Sequence, residues 1–183
     1  MLRSKLLLIV AFVLTALAGI NAQTFTLKSN DIGGQFTKKQ EFNGFGCSGE
    51  NISPQLLWEN APEGTKSFAI TVYDPDAPTG SGFWHWVVFD IPANVKELKS
   101  GAGDLTKGLS PKGAIQSVTS YGAKGFGGAC PPVGHGFHQY IFTVHALKTD
   151  KLGLDENTNP DESCLALRPW QGSDAWPTKS AHQ

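Results

Sequence analysis

The run Phe83-Trp84-His85-Trp86-Val87-Val88-Phe89-Asp90-Ile91 is apolar on both of its alternating faces, the pattern of a strand enclosed between two covering layers. A chain that contains it must build a sheet and cover that sheet twice. The neighbouring segments agree. Phe68, Ile70 and Val72 alternate with Ala69, Thr71 and Tyr73, and a third strand is predicted from His138 to Leu147, with Tyr140, Phe142 and Val144 on one face. Shorter strands are predicted at Phe25–Leu27 and Leu56–Trp58. Helical periodicity is almost absent between Gln23 and Leu147, and the 21 Gly and 11 Pro are interleaved with aromatic and β-branched runs. Sheet must therefore pack on sheet, and the expected fold is mainly β: an antiparallel, Greek-key-like two-sheet sandwich with few short peripheral helices. Simple alternation puts His85 on the face of Val87, Phe89 and Ile91, with Trp84 and Trp86 opposite. The segment from Gly101 to Gly136 is long, Gly-rich and weakly patterned, as functional or core-wrapping loops are.

The N-terminus reads as a signal peptide: Arg3 and Lys5 precede an apolar run from Leu6 to Leu14, followed by small residues to Ala22, after which cleavage is expected. The apolar stretch is short for a bilayer span, which needs about 20 residues, and no cysteine stands near the cleavage sites to accept a lipid. The chain is thus expected to be exported, to the periplasm or beyond, and to leave a single domain from residue 23 to 183. Loss of Arg3 and Lys5 leaves 13 basic against 16 acidic residues, so no basic patch for nucleic acid is expected. Three cysteines in an oxidising compartment allow one disulfide. Cys47 and Cys130 are the expected pair, because both sit in Gly-rich turns where chain reversals bring segments together, and Cys164 is left over. The cysteine spacing matches no zinc motif.

Two segments carry chemistry. Asp74-Pro75-Asp76-Ala77-Pro78 follows a strand directly, and its prolines hold the two carboxylates on a stiff turn that leads into Trp84-His85-Trp86. The second runs from Gly127-Gly128-Ala129-Cys130-Pro131-Pro132 to Phe137-His138-Gln139-Tyr140. His138 and Tyr140 are two apart at a strand start and so point the same way, while the glycines would allow backbone N–H groups to approach an anion. Each residue taken singly has an ordinary structural use, as a turn residue or a core histidine; their co-occurrence suggests a site. No Ser or Cys lies in a nucleophile elbow. A divalent metal on Asp74, Asp76, His85 and His138 is disfavoured by the lack of a recognised ligand spacing, and no cofactor is expected.

At these segments the sequence resembles the phosphatidylethanolamine-binding protein family, also called Raf kinase inhibitor protein-like, and specifically its bacterial exported branch. The likeness runs from Phe25 to about Pro160. It rests on Asn51-Ile52-Ser53-Pro54, the Asp-Pro-Asp-Ala-Pro turn, Trp84-His85-Trp86, and Cys130-Pro131-Pro132 through His138-Gln139-Tyr140. The resemblance implies a two-sheet antiparallel fold with a small anion pocket, lined here by Asp74, Asp76, Pro78, His85, Gly128, Pro132, His138 and Tyr140. Two departures stand out. Gln139 replaces an Arg that many members place between the His and Tyr, which predicts a softer pocket wall. From about residue 161 the tail looks unlike the family's closing helix and strand: Pro169 and Pro177 forbid a continuous helix, and Thr178–Gln183 does not read as a strand, which would leave a sheet edge uncovered.

The expected function is binding of a small anionic or zwitterionic ligand. A phosphate or phosphomonoester would sit against the histidines and loop amides, with any amine of a phosphoethanolamine-like group facing the carboxylates. A nearby carboxylate would favour the imidazolium form of the pocket histidines. The chain is not expected to be an enzyme. A weak phosphoester or peptide hydrolase using the His/Asp pocket, and an envelope protease inhibitor or interaction module that modulates a partner protein, stand as alternatives.

Overall fold

A computed structural model of the chain describes residues 24–167 and 173–181. The expected signal peptide, residues 1–22, lies outside them, as do residues 168–172 and the last two. Among the described residues no helix is long and apolar enough to cross a membrane.

The alternating segments form the strands their patterns predict, with short additions. In chain order they are β1 (Thr26–Lys28), β2 (Asn43–Gly44), β3 (Cys47–Ser48), β4 (Leu56–Glu59), β5 (Ser67–Asp74), β6 (Phe83–Pro92), β7 (Glu97–Leu98), β8 (Ile115–Gln116), β9 (Phe137–Leu147) and β10 (Ser173–Ala181). Among the described residues one α-helix, α1 (Pro160–Leu167), precedes β10, and one 3-10 turn spans Leu105–Lys107. All pairings between these strands are antiparallel. β1, β4 and β7 make a three-stranded sheet, β10-β9-β5-β6-β8 a five-stranded one, and β2-β3 a hairpin.

The main core lies between the two sheets. Leu27, Leu56 and Trp58 of the small sheet meet Phe68, Ile70, Val72, Trp86, Phe142 and Val144 of the large one, all buried. On the other face of the large sheet Ala69, Val87, Phe89 and Leu147 pack with Leu167 of α1. The doubly apolar β6 is therefore covered twice, as its pattern requires.

Two features correct the sequence reading. The alternation of β6 is broken twice. Opposite β5, Val72 pairs with Trp86 but Tyr73 with Trp84, so His85 is an extra residue; a second slip lies between Phe68↔Ile91 and Ile70↔Val88, where Asp90 takes a left-handed φ of 56°. These are β-bulges. His85 therefore does not share a face with Val87 and Phe89, and Trp84 and Trp86 lie on opposite sides of the sheet. The tail is the second correction. α1 ends before Pro169, and β10, which contains Pro177, pairs along β9 from Ser173↔His145 to Ala181↔Phe137. A proline is tolerated there because β10 is the sheet edge and one side of its backbone has no ladder to complete. The outer edge of β9 is covered, and the tail supplies the closing helix and strand that the sequence alone did not suggest.

Candidate functional site

The bulge in β6, the end of β5 and the start of β9 meet at one end of the large sheet, and the long loop closes over them. Asp74 is the last residue of β5, His85 the bulge residue, and His138 and Tyr140 the inward-facing residues at the start of β9. Together with Pro78 and Pro132 they line a cavity of about 210 Å³. Six of the eight residues expected in the pocket are thus brought together.

The cavity is held by a short chain of hydrogen bonds. Asp74 Oδ1 accepts from the Asp76 N–H at 2.8 Å, and Asp74 Oδ2 accepts from His138 Nδ1 at 2.8 Å, with both side chains buried. In that bond His138 Nδ1 is the donor, because a carboxylate oxygen can only accept. Asp74 is therefore oriented without an arginine, and the Gln139 backbone N–H donates to Asp76 Oδ2 at 2.7 Å, tying the start of β9 to the turn. His85 Nδ1 donates to the Gly127 carbonyl at 2.8 Å. Burial pushes the His85 imidazole down to about 4, outweighing the Gly127 and Gly128 carbonyls and the Asp74 carboxylate, which pull the other way. Near neutral pH His85 is an uncharged ring, not the imidazolium that the neighbouring carboxylate led us to expect. Burial, then Asp74, pushes the Tyr140 and Tyr121 hydroxyls well above their ordinary range, so both stay protonated.

The two remaining expected residues stand elsewhere. Asp76 is exposed and borders a separate shallow depression with Phe137 and Gln139. Gly128 lies behind the wall. Its N–H donates to Asn51 Oδ1 at 2.7 Å and its carbonyl accepts from the Tyr121 hydroxyl at 2.6 Å, while a Cβ there would run into the Gln40 carbonyl. The neighbouring amides are also engaged, Gly127 N–H with the His85 carbonyl at 2.8 Å and Ala129 N–H with the Gln40 carbonyl at 3.2 Å. These three amides hold the loop against the sheet. The Asn51-Ile52-Ser53-Pro54 motif serves that purpose: Asn51 also donates to the Phe126 carbonyl, and Ser53 Oγ accepts the Gly103 N–H at 2.8 Å.

Sequence reasoning missed the aromatic side of the pocket. Tyr121 stacks on Phe42 and Phe45 with ring centroids 4.4 and 5.6 Å apart and meets Phe83 and His85 edge-on. It lies in a loop without periodicity, so nothing but its residue type marked it. Phe45 forms the hairpin tip between β2 and β3, where it takes a left-handed φ of 55° and is 76% exposed at the cavity mouth. The disulfide Cys47–Cys130, with Cα atoms 5.9 Å apart, ties this hairpin to the wall. The pairing expected from the Gly-rich turns is present. Among the described residues no three His, Cys, Asp or Glu side chains stand together as metal ligands would.

One fully buried side-chain oxygen of the pocket has no partner. The Tyr140 hydroxyl is fully buried, lines the cavity and makes no hydrogen bond. Comparison with known proteins places this architecture. The family model described as phosphatidylethanolamine-binding protein matches residues 32–169. The chain belongs to the phosphatidylethanolamine-binding protein family. It is 52% identical over 155 residues to the UPF0098 protein YbcL of Escherichia coli, covering 83% of this chain and 85% of that protein. It is 48% identical over 135 residues to YbhB of the same organism, covering 73% and 84%. The crystal structure of YbcL, described as a new member of the mammalian family, superposes with a TM-score of 0.84 at 46% identity, covering 87% of this chain and 99% of that one. The match reaches residue 169, so the segment from residue 161 is not foreign to the family up to that point.

Proposed function

We propose that the chain is an exported binding protein whose pocket takes a small oxyanion group: a phosphate, a phosphomonoester, or the phosphodiester of a phospholipid head group. The Tyr140 hydroxyl carries the proposal. A buried hydroxyl without a partner costs about 1–3 kcal/mol, and here it faces a cavity large enough for a small oxyanion. An oxyanion accepting from it would recover that cost. The Asp74–His138 bond positions the second polar wall, and the aromatic side formed by Tyr121, Phe45 and Phe83 suits an organic substituent on the phosphate. The relatives' family description, which names phosphatidylethanolamine, points to the same chemistry. The leader-like N-terminus and the Cys47–Cys130 disulfide support action in an oxidising compartment outside the cytoplasm.

Calorimetric titration with O-phosphoethanolamine tests the reading. Wild type should bind and Tyr140→Phe should bind about tenfold more weakly, the worth of one hydrogen bond. Because the substitution removes an unpartnered hydroxyl, the variant should be no less stable than wild type. Equal affinities in the two proteins would refute it. Binding and not turnover is proposed because the hydroxyl of Thr79 in the wall donates to the Gly82 carbonyl and has no base beside it. Release of chromogenic product from p-nitrophenyl phosphate, lost in His85→Ala, would reverse that choice.

A further inference from the structure

The hairpin of β2 and β3 is fastened unevenly. Its root is built into the molecule: the Phe42 N–H donates to the Ala129 carbonyl, the Gly49 N–H to the Phe42 carbonyl and the Asn51 N–H to the Glu41 carbonyl, each at 2.9 Å. A Cβ on Gly49 would run into that Glu41 carbonyl, so the root is also close-packed. The tip is held differently. Among the described residues no backbone N–H of residues 43–48 donates beyond the hairpin except that of Ser48, which reaches only the root, at Glu41 Oε1. What joins the tip to the rest of the molecule is the Cys47–Cys130 link, the Gly44 and Phe45 carbonyls lying 3.6 and 3.7 Å from the Cys130 sulfur, and the ring of Phe45 against Tyr121. The first two of these ties run through one sulfur atom. The third belongs to an exposed ring, which withdraws little area from water. Phe45 and Tyr121 line both the cavity of about 210 Å³ and a neighbouring depression of about 330 Å³ walled by Phe42, Asn51, Lys124 and Phe126. The two rings thus stand as a partition between these spaces.

We propose, on the reading of this pocket as an oxyanion site, that the β2–β3 hairpin is a flap latched by the Cys47–Cys130 disulfide, and that the pocket reaches its full affinity only once the disulfide has formed. With both thiols reduced the root stays in place and the tip loses its covalent tie. Ordering residues 43–48 costs conformational entropy that one exposed ring contact does not offset, so the tip leaves Tyr121 and the partition opens. Water then enters beside the Tyr140 hydroxyl, competes for it and raises the local dielectric, and an oxyanion is held less well. The latch closes by thiol–disulfide exchange with an external disulfide. One cysteine thiolate attacks it, a mixed disulfide forms and one thiol departs; the second cysteine thiolate displaces the other thiol and leaves the Cys47–Cys130 bond. Two electrons pass from the cysteines to the external disulfide, and the two cysteine protons end on the two released thiols. Such oxidants belong to compartments outside the cytoplasm. A chain still in a reducing compartment therefore carries a slack pocket, and an exported chain a closed one.

Calorimetry and proteolysis of the mature protein decide this, comparing the oxidised form with the same protein held in dithiothreitol, without denaturant. O-phosphoethanolamine and inorganic phosphate should each bind the reduced form at least about tenfold more weakly, the loss expected when the flap is closed no more than about a tenth of the time. Chymotrypsin, which cuts after aromatic residues, should cleave between Phe45 and Gly46 at least about tenfold faster in the reduced form, read by mass, while far-ultraviolet circular dichroism and Trp fluorescence of the two forms coincide. Phe45→Gly in the oxidised protein keeps the link, suits the left-handed φ of 55° at that position and removes the partition ring, so it should weaken both probes with the fold intact. Equal affinities in the oxidised and reduced forms would overturn the inference and leave the oxyanion site standing. Equal cleavage rates, or a Phe45→Gly protein that binds like wild type, would overturn it in the same way. A reduced form that has lost its fold would overturn it as well, because the link would then hold the whole molecule and not a flap. Binding of neither probe by the oxidised protein would remove the oxyanion site itself, and the inference with it.

Discussion

His85 illustrates how much a side chain's chemistry depends on where the backbone puts it. Beside a carboxylate, a solvated histidine gains a proton; enclosed by Tyr121, Tyr140 and Phe83 it loses one, because desolvation is the larger effect. This has a consequence for stability. The unfolded ring titrates near 6.5 and the folded ring near 4, so between these values the unfolded chain binds a proton that the folded chain refuses. The contribution is complete above pH 6.5, falls as the pH drops, and levels off near pH 4, for a total of about 3 kcal/mol. Burial lowers His145 to about 4 as well, which adds a loss of the same sign. Urea unfolding of wild type and His85→Gln between pH 7 and pH 4.5 should show a shallower decline in the variant. Parallel curves would mean that His85 is not buried in its neutral form.

Within the elements, the β6 bulge does what no regular strand could: it turns one residue out of the alternation and aims it at the start of β9. The rest of the strand keeps Trp86 and Val88 in the main core and Val87 and Phe89 in the second. The second core is closed by α1, which docks through Leu167 and through a bond from Trp84 Nε1 to Asp161 Oδ1 at 2.8 Å. Asp161 also lies in the first turn of the helix, where a negative charge is favoured. Asp161→Ala should cost about 1 kcal/mol in urea unfolding and speed amide exchange in α1, whereas Asp161→Asn, which keeps the acceptor oxygen, should recover most of the stability. If both variants unfold like wild type, the Trp84–Asp161 bond contributes nothing to the docking of α1.

Across the whole molecule, the disulfide joins parts of the chain 83 residues apart. It encloses β4 to β8 and most of the pocket. By chain entropy, closing so long a loop is worth on the order of 4 kcal/mol, so the reduced protein should unfold at clearly lower urea. Cys47→Ser should reproduce the loss with oxidant present. An unchanged midpoint in both would show that the hairpin and the wall are held by Phe45, Tyr121 and Phe42 without the covalent link. The dependence on oxidation agrees with the export proposed from the N-terminus.

The large sheet was legible in the residues because alternation is local: Phe68, Ile70 and Val72, or Tyr140, Phe142 and Val144, announce a face wherever they sit. The prolines around Asp74, and His138 two residues before Tyr140, likewise carried their meaning in their spacing. Other features depend on partners far along the chain. Alternation within β6 gives no sign that His85 is surplus, since that follows from its pairing with β5. Pro177 argues against a strand until its place at a sheet edge is known. Gly128 looks like an anion cradle until Asn51 and Gln40 claim its surroundings. The charge of His85 was misjudged for the same reason. Periodicity and turn chemistry are properties of a few adjacent residues, whereas a bulge, an edge and a desolvated ring exist only once distant segments have packed against one another.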